Sequence, residues 1–445
     1  MQEVVPVAKR TYRTVEIQHV DASKLATALG ACCIVAIDLA KTKMFAGFAS
    51  AAGRCIEIVR FEHPKQTRLF LELLCRLREL GVALEVAMEP TGVYGDALRY
   101  QLTLRDIPVF RVDAKKVHDA AALLDGVPSL HDAKACTLLA HLHAQGISKR
   151  WKERSAVQRA MRSLIDERDL YARPFETAYG RLEALVARHW PELSQHLDMD
   201  AAWHLHLLCE MPGPAEVRAR RGDAVALLRR VSRAALSFER IEQIVGCAVS
   251  SLGESMHDQE RSFLRSLARH MLALREHIRD VDKRIEAELA NHRELHSIRA
   301  AFGAVTTAAL VADLGNPADY ESSASFEKAM GLNLRVQSSG NNAGQHTIHI
   351  TKRGPGRARR YLFLAALRFV QSDPVAREWY RARKGYRADI KLKAVVALMR
   401  KLARAMVHVA RGAPFDATKL FDTRSMTAVT ASPSRDAGQS SLAGS

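Results

Sequence analysis

Between Ala31 and Gly146 the chain switches repeatedly between two periods, and that rhythm restricts its fold more than any other feature. "CCIVAID", "KMFAGFAS" and "CIEIVRFEH" are short and apolar, which predicts three consecutive strands. The intervening "AAGR" joins the last two as in a hairpin. "QTRLFLELLCRLRELG" then reads as an amphipathic helix closed by Gly81. "ALEVAMEP" is a strand, "YGDALRYQLTLRD" a helix and "PVFRVD" a strand. A mostly helical stretch follows, from "AKKVHDAAALL" to "DAKACTLLAHLHAQG".

The order β-β-β-α-β-α-β-α is that of ribonuclease H-like domains. Strand ends in such a sheet converge on one edge, where sites usually form. Asp38 closes "IVAID" and Glu89 closes "ALEVAME", so two acids fall at the ends of separate strands. An unpaired buried charge costs on the order of several kcal/mol, so each acid needs compensation. A Mg²⁺ ion is one candidate, because it takes hard oxygen ligands in octahedral geometry. Two such ions clamp the attacking and leaving oxygens of a phosphodiester. The plainer alternative is a pair of solvated strand-end acids. Asp132 opens the amphipathic "DAKACTLLAHLHAQG", where capping the helix is an equally good role.

The whole chain has 445 residues, enough for two or three domains. Residues 1–30 read as an N-terminal arm and 31–148 as the α/β domain. Residues 149–295 are helical. Their long segments "RSAVQRAMRSLIDERDLYARPFETAYGRLEALVARHW" and "ERSFLRSLARHMLALREHIRDVDKRIEAELANHREL" carry apolar residues at three- and four-residue spacing. That suits antiparallel helices or a coiled coil, serving as spacer or dimerisation element. "EMPGPAEVRARRGD" is the expected break between them. Residues 296–422 form a third, mainly α unit, and the Ser- and Ala-rich tail 423–445 is expected to be disordered. The fold class is thus α/β plus α.

Net charge is +17, a surplus that suits a polyanion, most often nucleic acid. Most of it is concentrated. From Thr351 to Leu420 there are 18 Lys or Arg against 4 Asp or Glu. Aromatic residues make up only 6%, which argues against a platform of stacked bases. The seven cysteines include no CxxC pair, so buried reduced thiols are expected rather than a zinc site or disulfides. No apolar run approaches the roughly 18 residues of a membrane span. The expected location is the cytoplasm, at the nucleoid, with no membrane partner.

The stretch "MGLNLRVQSSGNNAGQHTIHITKRGPGRARR" is the most telling in the third unit. Gly-flanked serines precede a short alternating strand and a dense basic run. A Ser hydroxyl can attack phosphorus where the electrostatic environment stabilises the transition state. Lys352, Arg353, Arg357, Arg359 and Arg360 could supply that environment or grip backbone phosphates. The alternative for Ser339 is a turn residue. "AAFGAVTTAALVADLG" is similar to half of a helix-hairpin-helix, with simple helix packing as its alternative.

Taken in order, these motifs resemble the DEDD transposases of bacterial insertion sequences. Those are RuvC-like recombinases related to Piv-type DNA invertases and to bridge-RNA-guided serine recombinases. The matching pieces are "IVAIDLAKTK", "VAMEPTGVYGDALRYQL", "IPVFRVDAKKV", "DGVPSLHDAKACTLLA", "FGAVTTAALVADLGNPADYESSASFEKAMGLNLRVQSSG" and "HTIHITKRGPGRARRYLFLAAL". The resemblance implies a RuvC-like domain, a coiled-coil segment and a C-terminal transposase domain. It implies that Asp38, Glu89 and Asp132 bind Mg²⁺, and that Ser339, followed by Gly340, is the nucleophile, with Ser338 adjacent. The family's fourth acid falls on Ala135, a departure for which Asp119, Asp125 or His131 could substitute. The middle segment is long for the family. Implied partners are double-stranded DNA at element ends and target, a structured guide RNA, and further copies in a dimer or tetramer. Two other classes stay open: a catalytically weakened nucleic-acid-binding protein of transposase descent, and a ribonuclease H-fold ATPase or sugar kinase suggested by "IDLAKTK" alone.

Overall fold

The computed structural model describes residues 12–90, 92–123, 126–233, 235–337, 347–384 and 388–421. The chain divides into two compact units between Glu153 and Arg154.

The first unit is built on a mixed sheet. Its strands are β1 (Thr14–Glu16), β2 (Cys32–Asp38), β3 (Lys43–Ser50), β4 (Cys55–Glu62), β5 (Ala83–Met88), β6 (Val109–Arg111) and β7 (Lys149–Arg150). Their spatial order is β1-β4-β3-β2-β5-β6-β7. β2, β5 and β6 run parallel, whereas β3 pairs antiparallel with both β2 and β4. The segment expected as an arm contributes β1, parallel to β4, and helix α1 (Ala22–Leu29).

Helices α2 (Thr67–Glu79), α3 (Asp96–Thr103), α4 (Ala114–Asp119) and α5 (Asp132–Ala144) complete the unit. β2 shows how they divide. Cys33, Val35 and Ile37 pack into a core with Phe70, Leu74 and Leu77 of α2 and Leu98 of α3. Ile34 and Ala36 pack into a separate core with Val117 of α4 and Leu138, Leu139 and Leu142 of α5. Successive side chains of a strand alternate between faces, so a central strand covered on both sides must be apolar throughout. That is why "CCIVAI" shows no polar alternation.

α5 sits close against the sheet because β3 carries Gly47 beneath it. A Cβ at Gly47 would lie 3.1 Å from Cys136 Cβ and 3.2 Å from Cys55 Sγ. None of the seven cysteines is in a disulfide. Burial pushes the Cys33 thiol up to about 12 and that of Cys55 to about 11, so both stay protonated and inert.

The second unit is mainly α. Helix α6 (Ala156–His189) leads through α7 (Pro191–Ser194), α8 (Trp203–Glu210), α9 (Pro214–Ala219), α10 (Arg221–Ser232) and α11 (Phe238–Gly246) to α12 (Asp258–Ala290). Helices α13 (His296–Phe302), α14 (Ala304–Leu314) and α15 (Ser323–Ala329) follow. The hairpin β8 (Leu334–Gln337) and β9 (Thr347–Ile350) comes next, then α16 (Gly356–Ser372), α17 (Pro374–Lys384) and α18 (Ala388–Ala410).

α6 and α12 are antiparallel partners. Glu167 pairs with Arg284 at 2.8 Å near one end, and Arg188 with Glu260 at 3.5 Å near the other. Each end of the pair enters a different core. Leu182, Val186, Leu264 and Met271 pack with Leu205, Leu228 and Ile244. Met161, Ile165, Val281 and Ile285 pack with Leu310, Phe326, Leu362 and Leu398, so residues on both sides of position 295 share one core. α13 and α14 meet at Gly303, whose φ is +81°. α14 is a core helix, with Thr306 and Thr307 fully buried. The packing reading of that segment is therefore the one its burial supports.

Candidate active site

Strand register brings the first two acids together. Ile37 of β2 is opposite Met88 of β5, so Asp38 and Glu89 follow side by side at the C-terminal ends of parallel strands. Alternation also fixes their face. Asp38 continues the row Ile34, Ala36, and Glu89 continues the row Glu85, Ala87, both toward α5. On that face Glu85 bonds the α5 residue His143 at 2.9 Å, which confirms the row's direction.

Asp132 is the first residue of α5, pointed at the same edge by the helix start. The capping role goes to its neighbour: His131 Nδ1 accepts from the Lys134 N–H at 3.3 Å. Asp132 is exposed and has no hydrogen bond among the described residues. Lys134, 1% exposed, donates its Nζ to the carbonyls of Val127 at 2.6 Å and Ser129 at 3.1 Å. It thereby ties the loop before α5 to the helix.

The electrostatics show that the three carboxylates share one field. Asp38 is pushed up to about 6, first by burial and then by the like charges of Asp132 and Glu89. Glu89 is also raised, first by burial and then by Asp113. Asp113 was not singled out by sequence reasoning, yet it obeys the same rule as the other two. It follows the strand "PVFRV", and Met88 stands opposite Arg111, so it lies at the next parallel strand end. It caps α4, accepting from the Lys115 N–H at 2.9 Å.

The other substitutes for the missing acid differ. Asp119 faces His118 at 3.8 Å and is not among the charges acting on Asp38 or Glu89. His131 is the helix cap. Asp125 lies outside the described residues. Ala135 is 4% exposed, inside the apolar contact of α5 with the sheet.

Carboxylate oxygens of this kind are the donors Mg²⁺ prefers, and their mutual repulsion is what a cation would relieve. In chemical type the donor set fits. Among the described residues, however, no three His, Cys, Asp or Glu side chains are grouped closely enough to hold a metal ion as they stand.

Ser339, with Ser338 and Gly340, lies outside the described residues. Its flanks are described: Gln337 stands opposite Thr347 in the β8–β9 hairpin, which brings both ends of that segment together. The five basic candidates behave differently from one another. Arg357 pairs with Asp313 at 2.6 Å and with Asp166. Arg360 pairs with Asp169 at 3.3 Å and Glu176 at 2.6 Å. Arg359 donates to the carbonyls of Met330 at 3.1 Å and Gly354 at 2.7 Å. These three side chains are occupied in holding α16 to its neighbours. Lys352 and Arg353 are exposed. Arg335 and His349, opposite each other on the hairpin, are exposed too and extend that basic surface toward the serine segment. Their signal in the sequence was strand alternation, which places them on one face.

The sheet and its helices form a mixed α/β unit consistent with a RuvC-like domain, joined in the chain to a mostly helical unit. Residues 292–381 match the model of the Transposase IS116/IS110/IS902 family, a span that runs from α13 into α17 and includes Ser339. This supports an insertion-sequence transposase, acting in transposition and DNA recombination. No curated protein matches the chain. Among the described residues no helix is long and apolar enough to cross a membrane.

Proposed function

We propose that the chain is a site-specific recombinase that mobilises an insertion sequence through a RuvC-like acid site and a serine nucleophile. The observation that carries the reading is the family match across the segment holding Ser339. The convergence of Asp38, Glu89 and Asp132 on one sheet edge supports it independently.

In this reading Asp38, Glu89 and Asp132 would hold Mg²⁺, which would supply positive charge at a phosphodiester. The Ser339 oxygen attacks phosphorus of double-stranded DNA. One P–O bond forms to serine, one breaks to the leaving sugar oxygen, and the serine proton passes to that oxygen. The phosphoserine link conserves the phosphodiester energy, so strands rejoin without ATP. Arg335, Lys352 and Arg353 grip the backbone beside it. A structured guide RNA chooses the sequences, and a dimer or tetramer lets the acids of one copy serve the serine of another.

Ala135 favours one competing reading, a nucleic-acid-binding protein of transposase descent with weakened catalysis. The test is a denaturing gel of the full chain incubated with its native flanking DNA, the RNA transcribed from that DNA, and Mg²⁺. A covalent protein–DNA band that disappears in Ser339→Ala supports the recombinase. DNA binding with no covalent band in the wild type supports the competing reading.

A further inference from the structure

The helical module between α6 and α12 contains a cavity of about 340 Å³, bounded by α12, by α8 and by Ala202 just before α8. Its charged lining is Arg275, Glu276 and Arg279, and His206 adds a polar ring. Arg275 and Arg279 are one helical turn apart on α12, so both side chains reach the same side. Arg230 of α10 also lies near enough to act on His206.

The way Arg275 is held is the informative point. Its Nη1 donates to the Met199 carbonyl at 2.9 Å and its Nη2 to the Asp200 carbonyl. Its Nε is buried with no partner. Neutral carbonyls position a guanidinium without neutralising it. Several other arginines of this unit have a carboxylate: Arg168 has Asp282, Arg357 has Asp313, and Arg400 and Arg404 share the buried Glu327. Among the described residues, Arg230, Arg275 and Arg279 have no such ion pair. Acids are nearby, since Asp198 and Asp200 act on Arg275 and Glu276 lies on the rim, but none is within ion-pair distance. Desolvation followed by the charge of Arg279 holds the Arg275 guanidinium below its usual range. A cluster of like charges without carboxylate partners is a surface that an anion would neutralise.

We propose that this cavity is an anion site that takes a backbone phosphate of nucleic acid. The oxyanion would lie between Arg275 and Arg279, with His206 as a further donor. The choice of nucleic acid as the source of the phosphate rests on the transposase reading, whereas the anion site itself does not. The site lies in the module that makes the middle segment long, and it adds a grip remote in sequence from the basic run at 352–360.

The test is fluorescence anisotropy of the full chain with a labelled DNA duplex and a labelled RNA hairpin, across a series of salt concentrations. Wild type is compared with Arg279→Gln, Arg275→Gln and Arg229→Gln. Arg229 stacks over Phe238 at 5.8 Å and serves as a basic residue outside the cavity. Thermal melting confirms folding. Because Arg279 is exposed, Arg279→Gln keeps the test valid if Arg275→Gln misfolds. The expected result is about tenfold weaker binding of Arg279→Gln to one or both ligands, a salt slope shallower by about 1, and no change in Arg229→Gln. Loss on RNA alone, or on DNA alone, identifies which backbone the site takes. Unchanged affinity and slope in Arg279→Gln overturn the site while leaving the recombinase reading intact. A wild type that binds neither ligand overturns both.

Discussion

Asp38→Asn should stabilise the metal-free protein at neutral pH, which few substitutions at a proposed catalytic residue would do. In the folded chain Asp38 keeps its proton up to about pH 6, whereas the ordinary value is 3.8. The folded state therefore binds more protons between these values, and stability falls as pH rises through that window. A shift of about two units corresponds to roughly 3 kcal/mol as an upper bound. Asp38 is only part-buried, and solvent screening reduces the figure to about 1–2 kcal/mol. Asn is nearly isosteric and can still accept from the Leu39 N–H, so the substitution removes the charge with little else. The assay is native-state hydrogen exchange of β2 and β5 amides in EDTA, at pH 8 and pH 4. The expected result is a gain in opening free energy at pH 8 that vanishes near pH 4. A variant that is neutral at pH 8, or equally stabilised at both pH values, would refute the claim that burial and then the charges of Asp132 and Glu89 hold the Asp38 carboxyl above its usual range.

Three further outcomes follow from the same geometry. Arg357→Ala leaves Asp313, whose side chain is 6% exposed, with only Arg162 at 3.3 Å as a partner. It should cost about 1.5–3 kcal/mol, read as a lower urea midpoint, and a loss under about 1 kcal/mol would return Arg357 to the pool of phosphate-binding candidates. Ala135→Asp places a carboxylate in an apolar contact and should lower stability by on the order of several kcal/mol without metal. If position 135 faces the acids, Mg²⁺ should raise the variant's melting temperature more than the wild type's, and an equal response would remove it from the site. Gly47→Ala should cost about 1–3 kcal/mol by pushing α5 outward. As Asp132 retreats, the Asp38 titration followed by NMR should move back toward the ordinary carboxylate range, and an unmoved titration would separate α5 from the field at Asp38.

Much of the α/β unit was legible because its signals are local. The strands "CCIVAID" and "KMFAGFAS" coincide with β2 and β3, and "CIEIVRFEH" overruns β4 by one residue, since an apolar run at that length has few other ways to be buried. Asp38 and Glu89 were legible for the same reason, as strand-end acids need no tertiary knowledge to be noticed. What escaped was non-local. β1 could not be seen in the N-terminal segment because it is three residues long and exists only through its pairing with β4. Asp113 was passed over although the strand it closes, "PVFRVD", was read, because only the pairing of that strand with β5 puts it next to Glu89. The basic run looked uniform in sequence, but Arg357 and Arg360 face carboxylates 191 residues away in α6, whereas Lys352 and Arg353 do not. No periodicity within α16 distinguishes a side chain that anchors from one that is free to bind.

The most direct test of the central claim is recombination in cells. The chain is expressed beside its native flanking DNA, and circle formation or insertion is scored by junction PCR. Wild type, Asp38→Ala and Ser339→Ala are compared. The account predicts junctions in the wild type and none in either variant. Junctions that persist in Ser339→Ala would contradict it.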